Sequence, residues 1–143
     1  VIFVLIYFAW YPKAFARDWQ YGHKAIAAWV QANESKYKQV YMTKAYGEPQ
    51  LFLAFYNKWD PNWYQEENKK LIEYESRGYP WLDQLPEYSL GKYTFRDINW
   101  PVDNGKNEMV FIGKGDDFWL DTPHPLSINF PDGTAAFRVS EGK

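Results

Sequence analysis

The residues able to do chemistry in this 143-residue chain fall into a few short groups. Asp116, Asp117, Asp121 and His124 follow one another closely enough to surround a cation, since carboxylates and imidazole suit hard or borderline metals. Pro123 and Pro125 frame the histidine, however, and Asp is a common turn and cap residue, so this run is expected to be turn chemistry and no metal site. Asp97 and Asp103 are of the type used as paired acids, and only the fold decides their separation. Gly113-Lys114-Gly115 has amides to offer an anion, but both the dinucleotide fingerprint and the P-loop pattern are absent, and a plain turn is expected. His23, beside Lys24, has no partner at metal-ligand spacing. Neither histidine stands in a nucleophile motif, so no Ser-His-Asp arrangement can be built. No catalytic residue and no cofactor is expected.

The elements that must position these residues are organised around Thr43 to Gln65. A Tyr46-Gly47 turn leads to Pro49, where a helix starts, and Asp60-Pro61 opens a second helix. Proline suits the first helical position because its missing N–H would have had no partner there, and Asp60 can accept a hydrogen bond from the next free amides. Leu51, Phe52, Phe55 and Tyr56 are expected to form the core face of the first helix. The second helix is expected to run from Pro61 to about Arg77, with Tyr64, Leu71, Ile72 and Tyr74 on one side and Gly78 as its stop. Lys13 to Asn33 reads as one amphipathic helix through Phe15, Trp19, Ile26, Trp29 and Val30, interrupted by Gly22, whose presence suggests close packing against a neighbour.

Strands are expected at Gln39 to Thr43, Lys92 to Ile98, Glu108 to Gly113 and Leu126 to Phe130. The last pairs with Thr134 to Val139 through Phe130-Pro131-Asp132-Gly133, which offers Pro at the first turn corner and Gly where a positive φ is needed. Tyr79 to Leu90, with two prolines, is expected to be a loop or short helical turn. The fold class is therefore α/β: a single domain with a mixed, mostly parallel sheet, flanking helices and a C-terminal hairpin.

Sixteen basic against 18 acidic residues leave no positive field to hold a phosphate backbone, so nucleic acid is not an expected partner. Without cysteine there is no disulfide, thiol nucleophile or thiolate zinc site. The 21% aromatic content is the outlying feature; such rings fill cores, stack on sugars or sit at a membrane interface. Val1 to Trp10 carries no charge and no polar group except the Tyr7 hydroxyl. It is too short to span a bilayer, which takes roughly 20 apolar residues. Two readings stand: a buried strand rich in Val, Ile and aromatics, or the last turns of a transmembrane helix. Phe8, Trp10 and Tyr11, followed by Pro12, Lys13 and Arg17, fit the aromatic and basic belt of the second.

Several stretches resemble the C-terminal soluble region of bacterial multi-spanning glycosyltransferases, proteins similar to protein O-mannosyltransferases and lipid A aminoarabinose transferases. They are Trp19-Gln20-Tyr21-Gly22-His23-Lys24, Tyr46-Gly47-Glu48-Pro49, Phe55-Tyr56-Asn57-Lys58-Trp59-Asp60-Pro61 with Tyr64-Gln65, Lys92 to Trp100, and Phe130-Pro131-Asp132-Gly133 with Phe137. Gln50 departs from the pattern by standing where an aromatic is expected. The resemblance implies that residues 1–11 end a transmembrane helix and that 12–143 form a soluble extracytoplasmic domain at the plasma membrane. Its partners would be the parent protein's membrane helices and a polyprenyl-phosphate sugar or a glycan acceptor. The family's catalytic acids lie in an early loop between membrane helices, so the chain would be accessory and not catalytic by itself, with Tyr46, Tyr56, Lys58 and Trp59 orienting acceptor or donor. A free-standing carbohydrate-binding module with an aromatic platform is the alternative, and a small hydrolase using Asp97 with Asp116 or Asp117 a third reading.

Overall fold

The computed structural model describes residues 1–71 and 74–143. The chain begins as a helical arm: α1 (Ile2–Leu5), a π-helical stretch (Ile6–Trp10) and α2 (Tyr11–Ala14). Pro12 explains the wide middle turn, because it has no N–H for the ladder and its ring crowds the carbonyl four residues back. None of Val1 to Trp10 is buried and none is in the sheet, so the strand reading of this run does not hold.

The expected helix from Lys13 to Asn33 is broken in two. Turns occupy residues 15–22, and α3 (His23–Asn33) begins only after Gly22, whose φ of 95° is the left-handed region that favours glycine. A Cβ at Gly22 would also meet Phe137 Cδ2 at 2.9 Å, so the position demands glycine for space as well as for conformation. Strand β1 (Gln39–Met42) follows, then α4 (Pro49–Tyr56) and α5 (Pro61–Lys69). Both prolines sit in the first helical turn, and Asp60 Oδ1 accepts from Asn62 N–H at 2.9 Å. Helix α5 ends earlier than the apolar pattern implied; Ile72, one of its expected core residues, lies outside the described residues.

The remaining strands are β2 (Tyr88–Leu90), β3 (Tyr93–Phe95), β4 (Met109–Gly113), β5 (Leu126–Asn129) and β6 (Ala135–Glu141), with one helical turn, α6 (Trp100–Asp103), before β4. The molecule is an α/β domain with a six-stranded mixed sheet in the order β2-β3-β1-β4-β6-β5. Strand β1 runs parallel to β3 and β4, while β2–β3, β4–β6 and β5–β6 are antiparallel, so the sheet is less parallel than expected. Part of the difference is β2, where a loop was expected. Gly91 (φ 56°) and Lys92 make a two-residue connection that returns the chain directly into β3. The C-terminal hairpin closes as expected, with Gly133 N–H donating to the Phe130 carbonyl at 2.9 Å.

One sheet face carries Val40, Met42, Phe95, Val110, Ile112, Phe137 and Val139 into the main core, under α3 and α4. The other holds a smaller cluster of Ile98, Trp100, Phe111 and Phe118. The core face of α4 is not the expected one. Pro49, Gln50 and Leu53 are buried, whereas Phe55 is 76% exposed and Leu51 and Tyr56 are also exposed. Gln50 is tolerated inside because Tyr88 Oη donates to its Oε1 at 2.6 Å. This polar residue hid the true stripe from a hydrophobic-periodicity reading.

Leu53→Ala should therefore destabilise the domain by about 2–5 kcal/mol. Phe55→Ala should change stability by no more than about 0.5 kcal/mol. Urea unfolding of the two variants checks the assignment, and a reversed order would refute it.

Candidate functional site

The four residues proposed to orient a ligand do not converge. Tyr46 donates its hydroxyl to the Ala136 carbonyl at 2.9 Å, and its ring packs edge-on against Phe130 and Phe137. Trp59 lies against Tyr93 of β3, with ring centroids 4.6 Å apart, and edge-on to Trp63. Strands β3 and β6 are separated by β1 and β4, which at roughly 4.8 Å per strand puts these two anchors about 14 Å apart across the sheet. Tyr56, the last residue of α4, and Lys58, on the α4–α5 connection at a φ of 51°, are exposed. Tyr46 and Trp59 pack against the main core.

Other candidates are satisfied internally. Asp103 is 1% exposed and accepts from both Arg96 Nη atoms (2.9 and 2.7 Å), from Lys106 Nζ (2.7 Å) and from the Asn99 N–H (2.9 Å). Burial alone would raise its pKa, but these hydrogen bonds and the Arg96 charge outweigh it and hold the carboxyl below its ordinary value. Asp97 is exposed, so the two acids form no catalytic pair. At Gly113-Lys114-Gly115, the anion meeting the Lys114 amide is the chain's own Asp117, whose Oδ2 accepts at 2.7 Å. Burial pushes the Asp117 pKa up against that bond and the Lys114 charge. His124 Nδ1 approaches Ser140 Oγ at 2.7 Å and edges against Phe118, and no group of three metal-ligating side chains exists among the described residues.

Two clefts remain. The first lies where the arm meets the domain, encloses about 480 Å³ and is lined by Tyr7, Phe8, Tyr11, Ala16, Trp19 and Tyr21. Rings at every fourth position make one stacked strip along the arm, from Phe3 to Tyr7 (5.7 Å), Tyr7 to Tyr11 (6.0 Å) and Tyr11 to Phe15 (4.6 Å). The base of the arm is fixed by Arg17. Its guanidinium sits 4.9 Å over Phe130, donates to Thr134 Oγ1 at 2.8 Å and pairs with Asp132.

The second cleft, about 310 Å³, is lined by Trp100, Asn104, Trp119, Asp121, Glu141 and Lys143 among others. Sequence reasoning considered Asp121 only as a metal ligand and passed over Trp119. The available signal was Trp119-Leu120, two large apolar residues inside the acidic, proline-bearing run from Asp116 to Pro125, where no core element was expected. Comparison with known proteins adds no relative: no family model, no curated protein and no solved structure matches the chain.

Both histidines are held below their ordinary pKa, chiefly by burial, with the Gln20 carbonyl opposing at His23 and the Val139 carbonyl opposing at His124. Above about pH 6.5 both folded and unfolded chains carry neutral imidazoles; as pH falls through that value the unfolded chain takes up protons that the folded chain resists. Stability should therefore fall on acidification from pH 7.5 to 5.5, and His23→Gln should reduce that slope. A flat urea midpoint across this range would contradict the burial of His23.

Proposed function

We propose that this chain is the membrane-proximal accessory domain of a glycosyltransferase that uses a polyprenyl-phosphate sugar, standing on the extracytoplasmic face and not itself carrying out the transfer. The observation that supports this most is the arm: nine residues, Ile2 to Trp10, apolar but for the Tyr7 hydroxyl, in helical conformation and all exposed. Each large apolar side chain left in water forgoes roughly 1.5–3 kcal/mol of burial, and a contiguous apolar surface of this kind marks a contact with membrane or protein. No helix among the described residues is long and apolar enough to cross a membrane, so the arm by itself reaches only part of the way. Its foot carries Trp10, Tyr11, Trp19 and Tyr21 with Lys13 and Arg17, the half-wet rings and cations that suit the headgroup layer. The sequence resemblance to the soluble region of multi-spanning glycosyltransferases supplies the activity of the parent. The internal satisfaction of Asp103, Asp117 and His124 supports an accessory role.

The arm is tested by flotation with neutral phosphatidylcholine vesicles at high salt. The full chain should float with the vesicles, and Val4→Lys combined with Phe8→Lys, both at exposed positions, should leave it in the aqueous fraction. A wild-type chain that stays unbound would overturn the membrane-proximal reading.

The accessory role has a separate check. Incubated with a polyprenyl-phosphate sugar and a peptide or saccharide acceptor, the purified chain should release no polyprenyl phosphate. Turnover would move the reaction into this domain.

A further inference from the structure

We propose that the cleft between Trp119 and the end of β6 binds a neutral saccharide. This deepens the reading above by naming what the domain holds, and it stands on side chains remote from the arm. A pyranose ring presents a face of C–H groups bordered by hydroxyls. Its partners are an aromatic face for the first and planar amide or carboxylate groups for the second. The cleft has both kinds. Trp119 is 52% exposed on the 114–125 loop, while Trp100 is held edge-on by Phe111 and Phe118, with centroids 5.7 and 4.9 Å away. One indole is therefore fixed and the other is presented.

The polar groups are pre-positioned as well. Asn104 donates to the Trp100 and Pro101 carbonyls (2.7 and 3.1 Å), which fixes the amide and leaves its oxygen as an acceptor. Glu141 Oε1 accepts from Tyr37 Oη at 2.5 Å, an anchor that leaves Oε2 as its second acceptor. Asp121 and Thr122 add a carboxylate and a hydroxyl on the loop side. Fixed acceptors of this kind bind hydroxyl donors without first having to be ordered. A volume of about 310 Å³ lies at the small end of ligand sites, roughly 300–1,000 Å³, which suits a short saccharide.

Charge decides between a neutral sugar and a phosphorylated one. Two carboxylates, Asp121 and Glu141, line the cleft against one cation, Lys143, so a phosphate would meet net repulsion. Position agrees with this. Glu141 ends β6, and the strand starts at Ala135, beside the hairpin turn that anchors Arg17 and the arm. Six residue steps of about 3.3 Å place the cleft about 20 Å from the arm's foot along the sheet. A saccharide held there is carried at the end of the domain away from the arm.

The test uses the full chain in a detergent without a sugar headgroup, such as lauryldimethylamine oxide. Maltotriose, mannotriose, cellotriose and chitotriose are titrated while the tryptophan indole N–H resonances are followed by NMR, and the Trp119 resonance is identified by its loss in Trp119→Ala. At least one trisaccharide should shift this resonance saturably, and Trp119→Ala, followed through the Trp100 indole that lines the same cleft, should weaken the apparent Kd by about tenfold or more, the size of one lost stacking contact. Trp81→Ala, which removes another exposed indole, should leave the Kd unchanged, and inorganic phosphate should neither shift the resonance nor compete. Absence of a saturable shift with all four trisaccharides, an unchanged Kd in Trp119→Ala, or competition by phosphate would each overturn the proposal. Vesicle flotation reads the arm alone, so failure of the saccharide site and failure of the membrane-proximal reading are separately visible.

Discussion

A strand with parallel neighbours on both sides cannot be joined to either by a tight turn, and β1 is such a strand. The chain must leave its carboxyl end, travel along a face of the sheet and re-enter at the opposite end, once towards β3 and once more to reach β4. The first excursion carries α4, α5 and the edge strand β2; the second crosses β1 with only the single turn α6. The two faces are thereby made unequal. One is covered by α3 and α4 over the main core, and the other by Trp100, Phe118 and a long loop.

The short crossover is held by charge as well as by the burial of Ile98 and Trp100. Arg96 leaves the end of β3, Asp103 ends α6 and Lys106 follows it, and the three meet in one hydrogen-bonded group, with the Arg96 guanidinium 4.6 Å over the Tyr41 ring. Burying a carboxylate is tolerable only because every lone pair has a donor. Removing Arg96 would take away two of the four donors to Asp103 and leave it Lys106 and the Asn99 N–H, while removing Asp103 would leave Arg96 paired with Glu87 alone. The same arrangement that fixes α6 therefore removes Asp103 from any catalytic use, and it steadies the helix from which Trp100 and Asn104 face the cleft.

Local grammar in the sequence was legible where one short motif sufficed. Asp60-Pro61, Pro49 and Phe130-Pro131-Asp132-Gly133 each state a geometry that a few residues can enforce, and the helix starts and hairpin follow them. What failed depended on partners distant in sequence. Gln50 is a core residue only because Tyr88 arrives from an edge strand, and the neighbour expected to pack closely on Gly22 is Phe137, 115 positions away on β6. Tyr46, Tyr56, Lys58 and Trp59 are close in sequence, yet Tyr46 packs on Phe137 of β6 and Trp59 on Tyr93 of β3, with two strands between them on the same face of the sheet. Trp119, Asn104 and Glu141 are far apart in sequence and share one cleft.

The sheet gives the domain two unlike ends. At the carboxyl ends of the parallel strands, the Tyr46-Gly47 turn and the β5–β6 turn receive the foot of the arm. Arg17 bridges to Asp132 and Thr134, and Tyr21 lies 5.9 Å from Phe130. At the amino ends, the chain before β4 and the end of β6 meet, through Lys143 N–H donating to the Asn104 carbonyl at 2.7 Å. The β-sheet between them holds Phe95, Phe111 and Phe137, all fully buried. A rigid slab holds its two ends at a fixed separation, so an arm seated in a headgroup layer would set the height of the distal cleft above it. A single strand joins the two ends: Arg17 grips the turn from which β6 begins, and β6 itself ends at Glu141.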